Sequence, residues 1–375
     1  MALELTVGGP AGASRRLLAN YPWNVAGLVL AISALGVWNL ASASRSAHAP
    51  VWMAQLWFMA AGVGLAAALA FFDDRTFHRL AWVFYGLVIL LLLLVMVRGR
   101  YVMGARRWLA FGPVRFQPSE LAKLAVAVAL ARWFHDDAPK RRGAYGLRQL
   151  VVPIALTLFP AALILKQPDL GTALVVVAVG ATVILFAGVR WRSVAALLGA
   201  VVVAGVLVWP HLKPYQRQRV ETFLHPEGDV LGAGYHATQS MIAVGSGQGT
   251  GKGWGQGTQT LLSFLPEQHT DFIFSVWAEE HGLLGCLLLI GLYLALVIAA
   301  LGIVGNARDR FGQFLAAGIT GMLFWQAAVN MAMVVGLLPV VGVTLPLMSY
   351  GGTSVITVFL GIGLLGSVAV RRWVN

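Results

Sequence analysis

Charge is what this chain has least of. Only 11% of its 375 residues are Asp, Glu, Lys or Arg, against about 25% in soluble domains, which excludes a globule surrounded by water. Acids are the scarcer sign, 15 beside 27 Lys and Arg, so each carboxylate inside an apolar stretch needs a reason to be there. The single cysteine, Cys286, lies in an apolar run and permits neither an internal disulfide nor a Cys-built metal site. Internal repeats and paired interrupted helices are not visible either, which argues against the inverted-repeat transporters. A cleavable signal segment is not expected, because about 20 residues precede a first apolar run long enough to span a bilayer.

Apolar length is what the chain has in excess. Hydrophobic residues make up 58% and mean hydropathy is +0.77, the composition of an integral membrane protein. Runs of roughly 17–25 residues start near Asn24, Val51, Phe77, Pro118, Leu150, Leu170, Ser193, Asp271, Gly312 and Pro346. They predict an all-α polytopic fold of about ten transmembrane helices, a single domain over 1–375. An even number places both termini on one side. With that side in the cytoplasm, every inner loop carries Lys or Arg, as the positive-inside bias requires, and the net charge of +12 is read as topology rather than as affinity for nucleic acid.

One long polar interval, Pro210 to Asp271, separates the seventh and eighth runs. An extracytoplasmic loop over 210–270 of this length is expected to be functional, and Tyr215, Phe223, Tyr235, Trp254 and Phe264 give it apolar material to pack. YQRQRVETF predicts a short amphipathic helix on the membrane surface, whereas GSGQGTGKGWGQGTQ is too rich in glycine for helix or strand. Basic residues left on the outer side gather here, as Lys213, Arg217, Arg219 and Lys252, and after the third run, as Arg98, Arg100, Arg106, Arg107 and Arg115. Positive charge is disfavoured on that side, so the exception points to an anionic ligand, with lipid head groups as the plain alternative.

Few ionisable residues fall at membrane depth. Glu120 and Lys123, in PSELAK, share one helix face at i,i+3 spacing; a buried packing pair and a catalytic support role both fit. Asp271, in LPEQHTDFIF, opens the eighth run, where Thr270 or Asp271 could simply cap the helix; its neighbours Glu267 and His269 make a titratable cluster the other reading. Glu279 and Glu280 follow about two turns deeper with no polar segment adjoining them in sequence, which favours a structural role. His236 and His269 lack a second ligand at fixed spacing, so no protein-built metal site is assigned. Pro339 and Pro346 break the last two runs. Broken backbone is not tolerated facing lipid, so this stretch is expected to fold back into protein, with Ser349, Tyr350 and Thr353 facing the same outer cavity; a plain hairpin is the alternative.

GARRWLAFGP, QPSELAK, QPDLGTA, YQRQRVETFLHPEGDVLGAGYHATQS, LPEQHTDFIFSVWAEEHGLLG and GLLPVVGVTLPLMSYGGTS, in this order, resemble the SEDS family of shape, elongation, division and sporulation proteins. YQRQRV, GYHATQS and GKGW followed by GTQ lie closer to its elongation branch than to its division branch. The resemblance implies a peptidoglycan glycosyltransferase in the bacterial cytoplasmic membrane that polymerises lipid II, with Asp271 as catalytic aspartate and Glu120 and Lys123 as its supporting pair. Arg106, Arg107, Arg217, Arg219, Gln239, Ser240, Lys252, His269 and Ser349 are the expected substrate contacts. It also implies lipid II and a growing glycan strand as ligands, and a single-pass class B penicillin-binding transpeptidase and other elongation proteins as partners. No cofactor is expected from the protein itself, while a divalent cation, Mg or Mn, can arrive with the substrate diphosphate. A lipid II flippase and a scaffold that only activates its partner are the rival functions.

Overall fold

The computed structural model describes residues 20–45, 51–72, 74–102, 105–112, 114–137, 143–211, 217, 221–223, 233–262, 264 and 267–373. Helices α1 (Trp23–Ala43), α2 (Val51–Phe71) and α3 (Asp74–Arg98) come first, then strands β1 (Arg100–Val102), β2 (Ala105–Phe111) and β3 (Val114–Phe116). Helices α4 (Pro118–Asp137), α5 (Val151–Lys166), α6 (Leu170–Phe186) and α7 (Trp191–Val208) follow. Beyond the polar interval lie α8 (Ala233–Ser246), the single turn α9 (Thr258–Leu261), α10 (Ile273–Asn306), α11 (Arg310–Val334) and α12 (Gly352–Val370).

Among the described residues, seven helices are long and apolar enough to cross a membrane, so the chain is a multi-pass membrane protein. Their outward faces remain apolar, as at Leu90, Val97, Leu284 and Ile298, where lipid rather than water is the solvent. The centre is occupied by α4, which is buried along nearly its whole length. Small residues let its neighbours approach: Gly318 of α11 faces Ala127 of α4 and Val183 of α6, and Gly361 of α12 faces Leu124 of α4 and Ile319 of α11. Small residues at such crossings supply the close van der Waals packing that holds helices together in lipid.

The expectation of an all-α fold is corrected by the antiparallel sheet β1-β2-β3 that joins α3 to α4. RYV and ARRWLAF carry the aromatic and β-branched residues of strands, and the turn at Gly112 returns the chain. A second difference lies in the polar interval, where 233–246 forms the regular helix α8. Of the predicted surface helix, Arg217 and residues 221–223 are helical, while Arg219 and Lys213 lie outside the described residues. Residues 335–351 contain no regular helix; Val335 and Leu337 at their start are exposed, whereas most of 341–349 is buried, packed inside the protein as broken backbone must be.

Helix α10 is interrupted at Gly282, with φ 63° and ψ −162°. The glycine-rich segment docks into the break: Lys252 and Gly253 donate backbone N–H to the carbonyls of Glu279 and Glu280, and Leu283 and Leu284 donate to Gln248 and Gly249. A Cβ at position 282 would stand 2.7 Å from the Gly247 carbonyl oxygen, so only glycine allows both the positive φ and this approach.

Candidate functional site

A cavity of about 240 Å³ lies where the sheet, the starts of α4, α6, α10 and α12, and the irregular segment 335–351 converge. Its polar lining includes Arg107, Gln117, Glu120, Lys123, Asp169, Glu267 and Asp271. Four carboxylates therefore face two cations across a small volume.

Asp271 sits just before α10. The helix is capped by Phe272 with no side-chain hydrogen bond, so neither Thr270 nor Asp271 serves as the cap that the sequence allowed. The turn 267–272 is closed by backbone bonds to the Glu267 carbonyl. Asn330 of α11 fixes it from behind, donating Nδ2 to the carbonyls of Asp271 at 2.8 Å and Val343 at 2.6 Å. Gly342, with φ +73°, passes so close that a Cβ there would lie 3.1 Å from Asp271 Oδ2. Burial pushes the Asp271 carboxyl up to about 7, helped by the negative charges of Glu267 and Asp169 and opposed by Arg107. A carboxylate in that range is half-ionised near neutrality, the condition that suits a general base.

Glu120 and Lys123 stand in the first turns of α4 as a buried pair at 2.8 Å. Arg107 and Arg106 part company because successive residues of a strand point to opposite faces. Arg107 donates Nε to the Gln167 carbonyl at 3.1 Å and Nη2 to the Pro168 carbonyl, whereas Arg106 is exposed and does not line the cavity. Asp169 caps α6, its Oδ1 accepting from the Thr172 amide at 3.2 Å and its Oδ2 from Gln117 Nε2 at 3.0 Å.

The remaining predicted residues lie elsewhere. Arg217 donates to the carbonyls of Trp209 at 3.2 Å and Pro210 at 2.6 Å, and Arg219 is not among the described residues. Ser240 is buried between helices, bonded to Ser275 Oγ and to the Val334 carbonyl, each at 2.8 Å, and Gln239 is half-buried beside it. Lys252 pairs with Glu279 at 2.6 Å, which corrects the view that no polar segment adjoins the two glutamates: the glycine-rich loop covers them. His269 sets its ring 6.0 Å from that of Tyr350, tilted by 56°, and its carbonyl accepts the Tyr350 amide. Ser349 donates to the Thr270 carbonyl at 2.6 Å and accepts from the Leu345 amide at 2.7 Å. Thr353 accepts from the Gln117 amide at 3.2 Å. Of the three hydroxyl residues expected in the cavity, only Tyr350 lines it.

Sequence reasoning passed over Gln117, Asp169 and Thr172. The signal was the twice-used Gln-Pro dipeptide, QPSELAK and QPDLGTA: each opens a helix, and the two helix starts meet through Gln117 and Asp169.

Comparison with known proteins gives one answer at three levels. Residues 16–373 match the FtsW/RodA/SpoVE family model, described as cell cycle protein. A relative, the peptidoglycan glycosyltransferase MrdB of Escherichia coli K12, is 43% identical over 315 residues, covering 84% of each chain. Among solved structures, a chain from a peptidoglycan synthase complex, reported for the coordination of polymerization and crosslinking, superposes with a TM-score of 0.82 at 36% identity, covering 95% of this chain and 99% of that one. The rod shape determining protein RodA of Thermus thermophilus superposes with a TM-score of 0.71 at 34% identity over 95% of this chain and 98% of its own.

Proposed function

Because the chain belongs to the SEDS family of FtsW, RodA and SpoVE proteins and is a peptidoglycan glycosyltransferase, we propose that its reaction takes place in the cavity around Asp271. The observation that carries this reading is geometric: Asp271 lines one small cavity together with Arg107 and Lys123, and burial there raises its carboxyl pKa.

The substrate we propose is lipid II, polymerised at the outer face of the bacterial cytoplasmic membrane during cell elongation. A sugar hydroxyl of the acceptor attacks the anomeric carbon of the donor sugar while Asp271 accepts its proton. The bond from that carbon to the diphosphate oxygen breaks, and undecaprenyl diphosphate leaves. An α-linked diphosphate replaced by a β-linked sugar is one inverting displacement, so no covalent glycosyl-enzyme is needed. Lys123 has three N–H donors and Arg107 five, more than their contacts to Glu120, Gln167 and Pro168 use. The spare donors suit the charge that develops on the leaving group. Glu120 holds Lys123 in place and Asp169 fixes the Gln117 turn. The excess of carboxylates over cations fits a Mg²⁺ or Mn²⁺ ion arriving with the diphosphate, since hard oxygen donors suit such ions; it would offset negative charge that the cavity itself does not balance.

The same reading assigns a single transmembrane unit over 1–375, about ten crossings, cytoplasmic termini and an extracytoplasmic loop over 210–270. The partner that fits is a single-pass class B penicillin-binding transpeptidase, because a structural relative belongs to a complex that couples polymerization to crosslinking. Other elongation proteins complete the assembly.

The test is polymerisation of labelled lipid II by the purified protein with its partner, crosslinking blocked, comparing wild type with Asp271→Asn. Loss of glycan chains in a variant that still folds and binds its partner is the expected result. Chains made at the wild-type rate would remove Asp271 from the chemistry.

A further inference from the structure

At the far end of α3 and α4 from the cavity lies a cluster that the glycosyl transfer does not use. His78 stands in the first turns of α3, and His135 and Asp136 close α4, about 18 Å along that helix from Lys123 at 1.5 Å per residue. One ring nitrogen of each histidine and one carboxylate oxygen of Asp136 lie within 4.8 Å of one another. His78 Nε2 and Asp136 Oδ1 are 3.1 Å apart, and the two imidazole rings stand 4.9 Å between centroids. Nδ1 of His135 is buried and has no hydrogen-bond partner among the described residues, an arrangement that costs free energy unless something else satisfies the nitrogen.

The surroundings hold these groups in place. Phe311, near the start of α11, sets its ring edge-to-face against both histidines. Arg132 donates Nε to Asp136 Oδ2 at 2.9 Å and Nη1 to the His78 carbonyl, leaving Asp136 Oδ1 directed at the histidine. Ligating carboxylates are themselves held by outer hydrogen bonds, and the bond from Arg132 to Oδ2 leaves Oδ1 of Asp136 beside the imidazole as the free ligand atom.

We propose that His78, His135 and Asp136 form a binding site for a borderline transition-metal dication of the zinc class, with water in the fourth position. Two imidazoles and one carboxylate are a three-ligand zinc set, and nitrogen donors select Zn²⁺, Co²⁺ or Ni²⁺ over Mg²⁺ or Ca²⁺. Metal–ligand bonds of about 2.0–2.1 Å require the three groups to draw together. Asp136, whose side chain is 46% exposed, has the freedom to swing inward. The positive charge of Arg132 works against the ion, and water at Asp136 screens part of that repulsion, so affinity falls below that of a closed structural zinc site. When bound, the ion ties the entry of α3 to the exit of α4.

Full-length protein without a histidine tag, in detergent micelles, tests this with Co²⁺ as a visible probe and Zn²⁺ as competitor. Expected are about one Co²⁺ per chain, the intense visible bands of four-coordinate cobalt, displacement by Zn²⁺ and a Zn²⁺-dependent rise in Tm. His78→Ala and His135→Ala should each weaken binding at least about tenfold, while His236→Ala on α8 leaves it unchanged. X-ray absorption on the Zn²⁺-loaded wild type needs no variant and should show a nitrogen and oxygen shell with imidazole scattering. A shell without imidazole, binding unaltered in both histidine variants, or no stoichiometric binding would each overturn the proposal.

Discussion

Lys123 and Glu120 meet at 2.8 Å beside the cavity; Lys252 and Glu279 meet at 2.6 Å beneath the glycine-rich loop. Both carboxylates are buried and each meets its desolvation cost with a lysine, although the Lys252 side chain is 27% exposed and that of Lys123 only 1%. The difference lies in what surrounds them. Glu279 Oε1 also accepts from Thr258 Oγ1 at 3.0 Å and the Gln259 amide at 3.1 Å, and Lys252 also donates to Thr258 at 2.8 Å. Those bonds join the loop to the break in α10. Lys123 has one side-chain bond among the described residues, to Glu120, and the pair lines open space with Asp271 opposite. A buried charge therefore signals cost, and access to a cavity decides whether that cost supports chemistry or architecture.

The largest expected effect is at the base. Asp271→Asn keeps size and hydrogen bonding but cannot take the proton, and should lower polymerisation by about 10²–10⁴-fold with little loss of Tm. Next comes the pair beside it. Lys123→Ala leaves Glu120 buried without its partner, which costs about 3–5 kcal/mol, and glycan synthesis per folded molecule should fall as well. Glu279→Ala is the control that could break the comparison. Lys252 keeps 27% of its side chain exposed and can turn to water, so the loss should be about 1–3 kcal/mol, read as a lower Tm with polymerisation per folded molecule close to wild type. If Glu279→Ala folds normally yet makes no glycan, the two pairs are not different in kind.

The sequence made the membrane class and the helix starts near Val51, Pro118 and Leu170 legible, because apolar length is a local signal. The observed helices Val51–Phe71, Pro118–Asp137 and Leu170–Phe186 begin at those residues. It also singled out Asp271, Glu120, Lys123 and Arg107, which the fold brings to one cavity. Arg106 could not be separated from Arg107 without knowing that ARRWLAF is a strand, whose alternation sends neighbours to opposite faces. The glycine-rich segment looked like a place for an anion, and only tertiary structure shows its backbone completing the hydrogen bonds of a broken helix. Asp169 was hidden for a similar reason: as a helix cap it reads as local structure, and its second role depends on Gln117 approaching from another helix.

A smaller perturbation sharpens the view that the Asp271 site depends on open space. Gly342→Ala places a methyl group 3.1 Å from Asp271 Oδ2 at a φ of +73°, a backbone region that costs an L-residue about 1–2 kcal/mol. The carboxylate must move, so kcat should fall by about tenfold while Tm drops only slightly. Equal kcat in this variant would show that the carboxylate's position has slack.

The mildest test is pH, and its signs differ for activity and stability. Asp271 ionises at about 7 in the folded protein, and the ionised form is the base, so kcat/KM should rise by about tenfold from pH 6 to pH 8. Stability runs the other way. A folded pKa above the unfolded value means that the folded state holds the proton more tightly, so this contribution is full below the unfolded carboxyl range, near about 4, and is lost as pH rises through about 7. Acid therefore silences the base while favouring the fold. Asp169→Asn removes one of the charges that raise Asp271 and should move the inflection to lower pH, whereas Glu279→Ala, which is not among those charges, should leave it in place. An inflection that follows Glu279 instead would mean that the loop and the cavity titrate as one unit.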